Sequence, residues 1–112
     1  MGAKNIRRLL TGNTSSVTQL SSKTTGVSIS TTSGQITTDD AQLNTGTEVV
    51  FTVTNAEVKA TGVIALSIKS GGTSGAYFAA VSAVADGSFD IVLTNVSAGH
   101  LSEAVVINFV VL

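Results

Sequence analysis

Apolar and polar residues alternate with a period of two in three segments of this sequence, residues 47–54, 63–69 and 88–94. A period of two is typical of β-strands that bury one face, because successive side chains point to opposite sides of a strand. The apolar positions expected to face the core are Val49, Phe51 and Val53, then Ile64, Leu66 and Ile68, then Phe89, Ile91 and Leu93. The pattern predicts an all-β protein.

Weaker strand signals occupy most of the remaining sequence. They lie at residues 17–20, 26–30 and 35–37, and Gly, Asn and Asp separate the segments. Residues 104–112 form the last and most informative predicted strand. Residues 77–84 are rich in Ala and could form a helix, but a strand is favoured because glycines precede them and Asp86-Gly87 follows. Asp-Gly is typical of a tight hairpin turn, so this segment should pair antiparallel with residues 89–93. One helical turn is expected at residues 39–43, capped by Thr38 or Asp39.

The composition supports one folded β domain. The chain has 112 residues, 43% of them hydrophobic and 12% charged, and it has no cysteine. Ser and Thr supply most of the polarity, and Thr packs well on a pleated surface. The length fits a single antiparallel β-sandwich or jelly-roll-like domain at residues 15–112, preceded by an extended N-terminal arm at residues 1–14.

The arm differs from the rest of the chain because it holds half of the basic residues. It is interpreted either as a frayed terminus or as a segment that binds a partner chain. In the second case the binding residues would be Lys4, Ile6, Arg7, Arg8, Leu9 and Leu10. The arginines interrupt the apolar residues, so no signal peptide is predicted, and no segment is apolar enough to span a membrane.

The C-terminal segment is apolar on both faces except at Asn108. Val105, Ile107, Phe109 and Val111 are expected in the core. The opposite face needs a cover, so the strand is either central in its sheet and covered or part of a subunit interface formed by Val106, Val110 and Leu112. With few aromatic residues and no disulfide, a domain of this size gains little from its own core, which favours a homo-oligomer or a larger assembly.

No residue pattern in the sequence is typical of catalysis, a cofactor or a metal. His100 is the only histidine, and a surface loop position explains it better than a nucleophile system. The pair Asp39-Asp40 lacks the spacing of a calcium loop. The segment from Gly71 to Gly75 lacks the lysine of a phosphate loop and is expected to connect two strands. Scattered carboxylates leave a small hydrolase as a remote alternative. The net charge of −1 argues against nucleic acid as a partner.

Residues 17–27, Val-Thr-Gln-Leu-Ser-Ser-Lys-Thr-Thr-Gly-Val, resemble a stretch of small virion proteins of tailed bacteriophages. The similarity covers roughly residues 17–112. Further matching segments are 33–37, 51–55, 75–77, 85–89 and 102–109. The resemblance implies a capsid decoration (cement) protein, with a β-rich body, that binds the major capsid protein on the capsid exterior as a homotrimer. It implies no catalytic residue.

A second hypothesis from the same virion context is an adhesive module of a head fibre or tail tip that binds host glycans. Aromatic side chains usually stack on sugars, and one Tyr and four Phe are a small supply. A glycan array distinguishes the two hypotheses.

Overall fold

The computed structural model describes residues 14–112, which form ten β-strands and no helix. The all-β prediction is confirmed. The strands are β1 (Thr14–Thr18), β2 (Val27–Ser28), β3 (Ser33–Thr37), β4 (Gln42–Leu43), β5 (Glu48–Thr54), β6 (Ile64–Ser70), β7 (Tyr77–Ala85), β8 (Ser88–Asn95), β9 (Leu101–Ser102) and β10 (Val106–Val111).

Eight of these strands form two four-stranded sheets that pack face to face. Sheet 1 has the order β1-β3-β10-β6, and sheet 2 has the order β2-β5-β8-β7. Most neighbours are antiparallel, but β1 pairs with β3 and β2 with β5 in parallel, so each sheet is mixed at one edge. At the opposite side of the sandwich, the edge strands β6 and β7 approach each other.

The core lies between the two sheets and consists of side chains that alternate along each strand. Strand β8 is the clearest case, since Phe89, Ile91 and Leu93 are buried while the residues between them are half-buried. The aromatic rings of Phe89 and Phe109 meet across the sheets, with centroids 5.7 Å apart and planes tilted by 55°. Such tilted contacts are favourable for aromatic pairs. The period-two pattern therefore predicted the buried faces of β5 and β8 correctly.

Strand β6 follows the predicted alternation but is less buried than expected. Leu66 and Ile68 oppose the core residues Phe109 and Ile107 of β10, so they face the inner side of sheet 1. Ile68 is nevertheless 38% exposed. The reason is that β6 is an edge strand, so β10 covers it on one side only within sheet 1.

The helical turn predicted at residues 39–43 is wrong. Gln42 and Leu43 form β4, which pairs antiparallel with β9 in a separate two-stranded sheet. Asp39 does accept a hydrogen bond from the backbone N–H of Ala41, at 2.8 Å, but this closes a local turn and caps no helix. Burial of Leu43 in the core and its pairing with Leu101 outweigh the local signal.

The hairpin between β7 and β8 is confirmed. Ala85 pairs with Ser88, so Asp86 and Gly87 form the loop, and Gly87 has a φ of +83° that favours glycine. The register shifts between Val81 and Ala83, which leaves Ser82 as the extra residue of a β-bulge. Strand β7 is therefore regular from Tyr77 to Val81 and bent after it.

Candidate interaction surface and the buried polar network

Lys23 is the most unusual residue of the structure, because its side chain is only 3% exposed. Its ammonium group donates hydrogen bonds to three backbone carbonyl oxygens. These belong to Asp39, to Ala41 at 2.8 Å and to Glu103 at 2.8 Å. Three donors meet three acceptors, so the group is fully hydrogen-bonded. Burial lowers the pKa of Lys23, and the nearby carboxylates of Asp39, Asp40 and Glu103 oppose that shift.

Gln19 extends the network started by Lys23. Its amide nitrogen donates to the carbonyl oxygens of Lys23 and Thr25, both at 2.9 Å, and its amide oxygen accepts from the N–H of Asp39 at 3.0 Å. Ser21, between them, has a φ of +71°. The network thereby fixes three segments that are distant in sequence, the loop after β1, the segment before β4 and the segment after β9.

Glu103 fixes the glycine-rich loop between β6 and β7. Its carboxylate accepts hydrogen bonds from the N–H of Thr73 at 2.5 Å and from the hydroxyl of Tyr77 at 2.9 Å. Gly72 has a φ of +69°, and a Cβ there would lie 2.8 Å from a carboxylate oxygen of Glu103. The loop connects two strands, as the sequence predicted, and glycine is required at this position for both conformation and space.

The pKa values of Glu103 and Tyr77 reflect their contact. Desolvation raises the pKa of Glu103, but hydrogen bonds from Thr73 and Tyr77, with the charge of Lys23, bring it below the ordinary value. Desolvation also raises the pKa of Tyr77, and so does the hydrogen bond to the Glu103 carboxylate. Tyr77 therefore stays protonated as a donor, and Glu103 stays ionised as an acceptor.

These polar groups are engaged in hydrogen bonds that hold the fold together. A depression of about 370 Å³ lies between the end of β6 and Tyr77, but the polar groups beside the glycine-rich loop that lines it are hydrogen-bonded to one another.

His100 is exposed, as predicted, and its Nδ1 accepts a hydrogen bond from the N–H of Thr45 at 3.0 Å. Within residues 14–112, no three His, Asp or Glu side chains are grouped to hold a metal ion. That part of the chain contains no helix long and apolar enough to cross a membrane.

The outer face of sheet 1 presents uncharged side chains along β1, β3 and β10, and we call it the neutral face. Its outward residues lie in cross-strand rows set by the register. The rows, from β1 to β10, are Thr14–Ser33–Val110, Ser16–Gln35–Asn108 and Thr18–Thr37–Val106. Shallow depressions lie on both sides of Asn108. Loss of charge at the centre of a patch is the compositional mark of protein interfaces.

Two of the three predicted interface residues belong to the neutral face. Strand β10 is central in sheet 1, and Val106 and Val110 point outward and are half-buried. Leu112 follows the strand and is 69% exposed, with its N–H bonded to the carbonyl of Val63 at 2.8 Å. The opposite face of β10 enters the core as predicted at Ile107 and Phe109, and Val105, just before the strand, is also buried. Val111 is half-buried and packs against the core. The role of the outward residues in a subunit interface stays a prediction.

The predicted arm residues Lys4, Ile6, Arg7, Arg8, Leu9 and Leu10 lie outside the described residues. The segment assigned to the arm overlaps the fold by one residue, because β1 begins at Thr14.

Sequence reasoning missed the structural roles of Gln19, Lys23 and Glu103. From the sequence, a lysine among Ser and Thr residues is expected to be solvent-exposed. Burial of Lys23 depends on the carbonyl groups of Asp39, Ala41 and Glu103, which only the folded chain brings together. Comparison of the chain with family models, curated proteins and solved structures finds no match.

Proposed function

We propose that this chain is a structural protein of a phage particle, a capsid decoration protein that binds the outer surface of the major capsid protein. The proposal combines the resemblance of residues 17–112 with one structural observation, the neutral face. A surface without charge on three adjacent strands suits contact with another protein surface better than binding of a small ligand.

The internal hydrogen bonds support the same proposal. Lys23, Gln19 and Glu103 hold the connecting segments to the body, so these parts of the sandwich offer a firm surface. Binding through a preorganised surface loses less conformational entropy than binding through mobile loops. A decoration protein touches several copies of the shell at once, and multivalent attachment turns weak contacts into stable ones. The homotrimer implied by the resemblance would provide that multivalency.

Glycan binding by a head-fibre or tail-tip module is less well supported. Three of the five aromatic side chains, Phe51, Phe89 and Phe109, are buried in the core. The hydroxyl of Tyr77 donates to Glu103. Phe78 therefore remains as the single well-exposed ring, and one ring is a small platform for stacking on sugars.

The proposal is tested by adding the purified protein to tailed-phage capsids assembled without accessory proteins and measuring the amount that sediments with them. Full-length protein should bind, and both deletion of residues 1–13 and the substitution Val110→Lys on the neutral face should reduce occupancy. Lys59→Met, at an exposed turn, is the matched control and should bind like the wild type. No binding by the wild type, or equal binding by all four proteins, would contradict the proposal.

A further inference from the structure

Strand β7 leaves one edge of sheet 2 without a hydrogen-bonded strand among the described residues, and β6 of sheet 1 lies beside that edge without pairing with it. It is nine residues long and pairs with β8 on one side only. It contains no charged residue and no proline. Natural proteins protect edge strands with charges, proline, bulges or short length, because an unprotected edge pairs readily with another strand.

Two of the other three edge strands of the large sheets are better protected than β7, and the third, β1, has only five residues. Strand β2 has only two residues, and β6 carries Lys69. In β7 the bulge at Ser82 protects the second half, since a bulge bends the strand away from a flat partner. The regular stretch from Tyr77 to Val81 is therefore the segment that remains open to pairing.

The side chains on the outer face of this stretch continue an apolar row. Val50 of β5, Val92 of β8 and Ala80 of β7 lie side by side in the register of sheet 2. Phe78, two residues from Ala80 on the same face, is 59% exposed. The row that contains Phe78 continues through Thr94 to Glu48 and is polar.

We infer that β7 pairs antiparallel with β7 of a second copy of this chain, around a two-fold axis at Ala79. This register places Phe78 of each copy opposite Ala80 of the other. The ring of Phe78 in one copy then covers Ala80 of the other copy. The apolar row Val50–Val92–Ala80 of each copy is thereby extended by Phe78 of the second copy. An antiparallel edge is self-complementary under two-fold symmetry, so one strand supplies both sides of the contact.

A second copy fits this edge better than a foreign strand. Recognition of a foreign strand depends on pockets for its side chains and on charges that fix the register. In the stretch from Tyr77 to Val81, Tyr77 lines a depression at one end and no side chain is charged, whereas the alternation of a large and a small outward residue matches its own reversed copy. The two-fold pairing also places no like charges opposite each other.

The contact should be weak in solution. Five paired residues span about 17 Å at roughly 3.4 Å per residue. Such a contact buries less than the roughly 800 Å² per partner of a standard stable interface. A dissociation constant weaker than about 1 µM is therefore expected. The edge lies on sheet 2, so it leaves the neutral face of sheet 1 free for other contacts.

Sedimentation equilibrium of the full chain tests the pairing. The average mass should rise with concentration for the wild type and for Ala85→Glu. Ala80→Glu should weaken association at least about tenfold, because it places a charge under the partner's Phe78. Ala85 is the matched control, since it is exposed on the same strand beyond the bulge. Circular dichroism confirms that both variants are folded.

Disulfide trapping tests the register independently, because the native chain has no cysteine. A mixture of the Phe78→Cys and Ala80→Cys proteins should form a mixed disulfide under mild oxidation. Each variant alone should react poorly, since identical positions would be about 7–8 Å apart on the diagonal. The inference is overturned by a wild type that stays monomeric, by association that Ala80→Glu does not weaken relative to Ala85→Glu, or by single variants that cross-link as readily as the mixture.

Discussion

Lys23 shows how one residue can join segments that are far apart in the chain. Its ammonium group binds carbonyl oxygens of Asp39, Ala41 and Glu103, and the last of these is 80 positions away. A buried charge is costly unless it is hydrogen-bonded, and here every ammonium proton has an acceptor. Removal of the side chain would take this donor from all three carbonyls, of which that of Asp39 also accepts a hydrogen bond from the hydroxyl of Thr38 at 3.2 Å.

We expect Lys23→Met to lower the free energy of unfolding by about 2–4 kcal/mol, because buried carbonyl groups would lose hydrogen bonds. Equilibrium unfolding in urea measures the change. The control is Lys59→Met, which removes an exposed lysine and should change stability by less than about 0.5 kcal/mol. Equal effects of the two substitutions would show that the three carbonyl contacts of Lys23 are not stabilising.

Glu103 should make the loop at residues 71–77 sensitive to acid. The folded state lowers its pKa from the ordinary 4.5, so ionised Glu103 stabilises the fold at pH values above 4.5. That contribution is lost as the pH falls through the lower folded-state pKa. Amide hydrogen exchange at Thr73 should therefore increase in acid relative to the intrinsic rate. In Glu103→Gln the exchange at Thr73 should already be fast at neutral pH, with little further change on acidification.

The strands that were predicted best are those for which the sequence pattern and the tertiary neighbours favour the same structure. Strands β5 and β8 alternate cleanly and lie in the middle of sheet 2. The segment at residues 39–43 has a local signal for a helical turn, yet it forms β4 because Leu43 joins the core. The loop between β6 and β7 is rich in glycine, and its conformation is fixed by Glu103 from a distant segment.

Substitution of two glycines in the loop between β6 and β7 distinguishes the energetic cost of backbone strain from that of steric contact. Gly72 and Gly75 have nearly the same φ, +69° and +75°, but only at Gly72 would an added Cβ have other atoms within 4 Å. Gly75→Ala should cost about 1 kcal/mol, the ordinary cost of a left-handed conformation. Gly72→Ala should cost more, because its methyl group would press on Glu103 and Tyr77. Thermal unfolding of the pair measures the difference, and equal costs would contradict the close approach.

At the scale of the whole molecule, the two sheets are held by a small number of large side chains. Phe109 lies on the central strand of sheet 1 and meets Phe89 of sheet 2. Gly34, in the neighbouring strand β3, leaves room for it, since a Cβ there would lie 2.8 Å from the ring of Phe109. The packing of one ring therefore depends on both sheets.

We expect Phe109→Ala to destabilise the protein by about 3–5 kcal/mol, because it removes the ring and leaves a cavity between the sheets. Urea unfolding followed by circular dichroism and by amide exchange should show one cooperative transition at a lower denaturant concentration. Leu112→Ala is the control, since Leu112 is exposed and should change stability by less than about 0.5 kcal/mol. A small effect of Phe109→Ala would mean that the sheets do not depend on this contact.

Much of the fold could be predicted because strand patterns are local. Alternation of apolar residues with a period of two predicted that the chain is all-β and which faces of β5 and β8 are buried, and the pair Asp86-Gly87 predicted where the β7–β8 hairpin turns. These features depend on side chains that alternate across one strand and on the conformation that Asp86-Gly87 favours, and both can be deduced from neighbours in sequence.

Only the tertiary structure decided which strands pair and which polar residues are buried. The parallel pairing of β1 with β3, the open edge at β7 and the row of neutral residues on sheet 1 all depend on the order of strands. Lys23 is charged and looks exposed in sequence, yet it is buried because the fold brings three carbonyls around it. The physical reason is that these features are contacts between distant segments, and a local pattern carries no information about which segments meet.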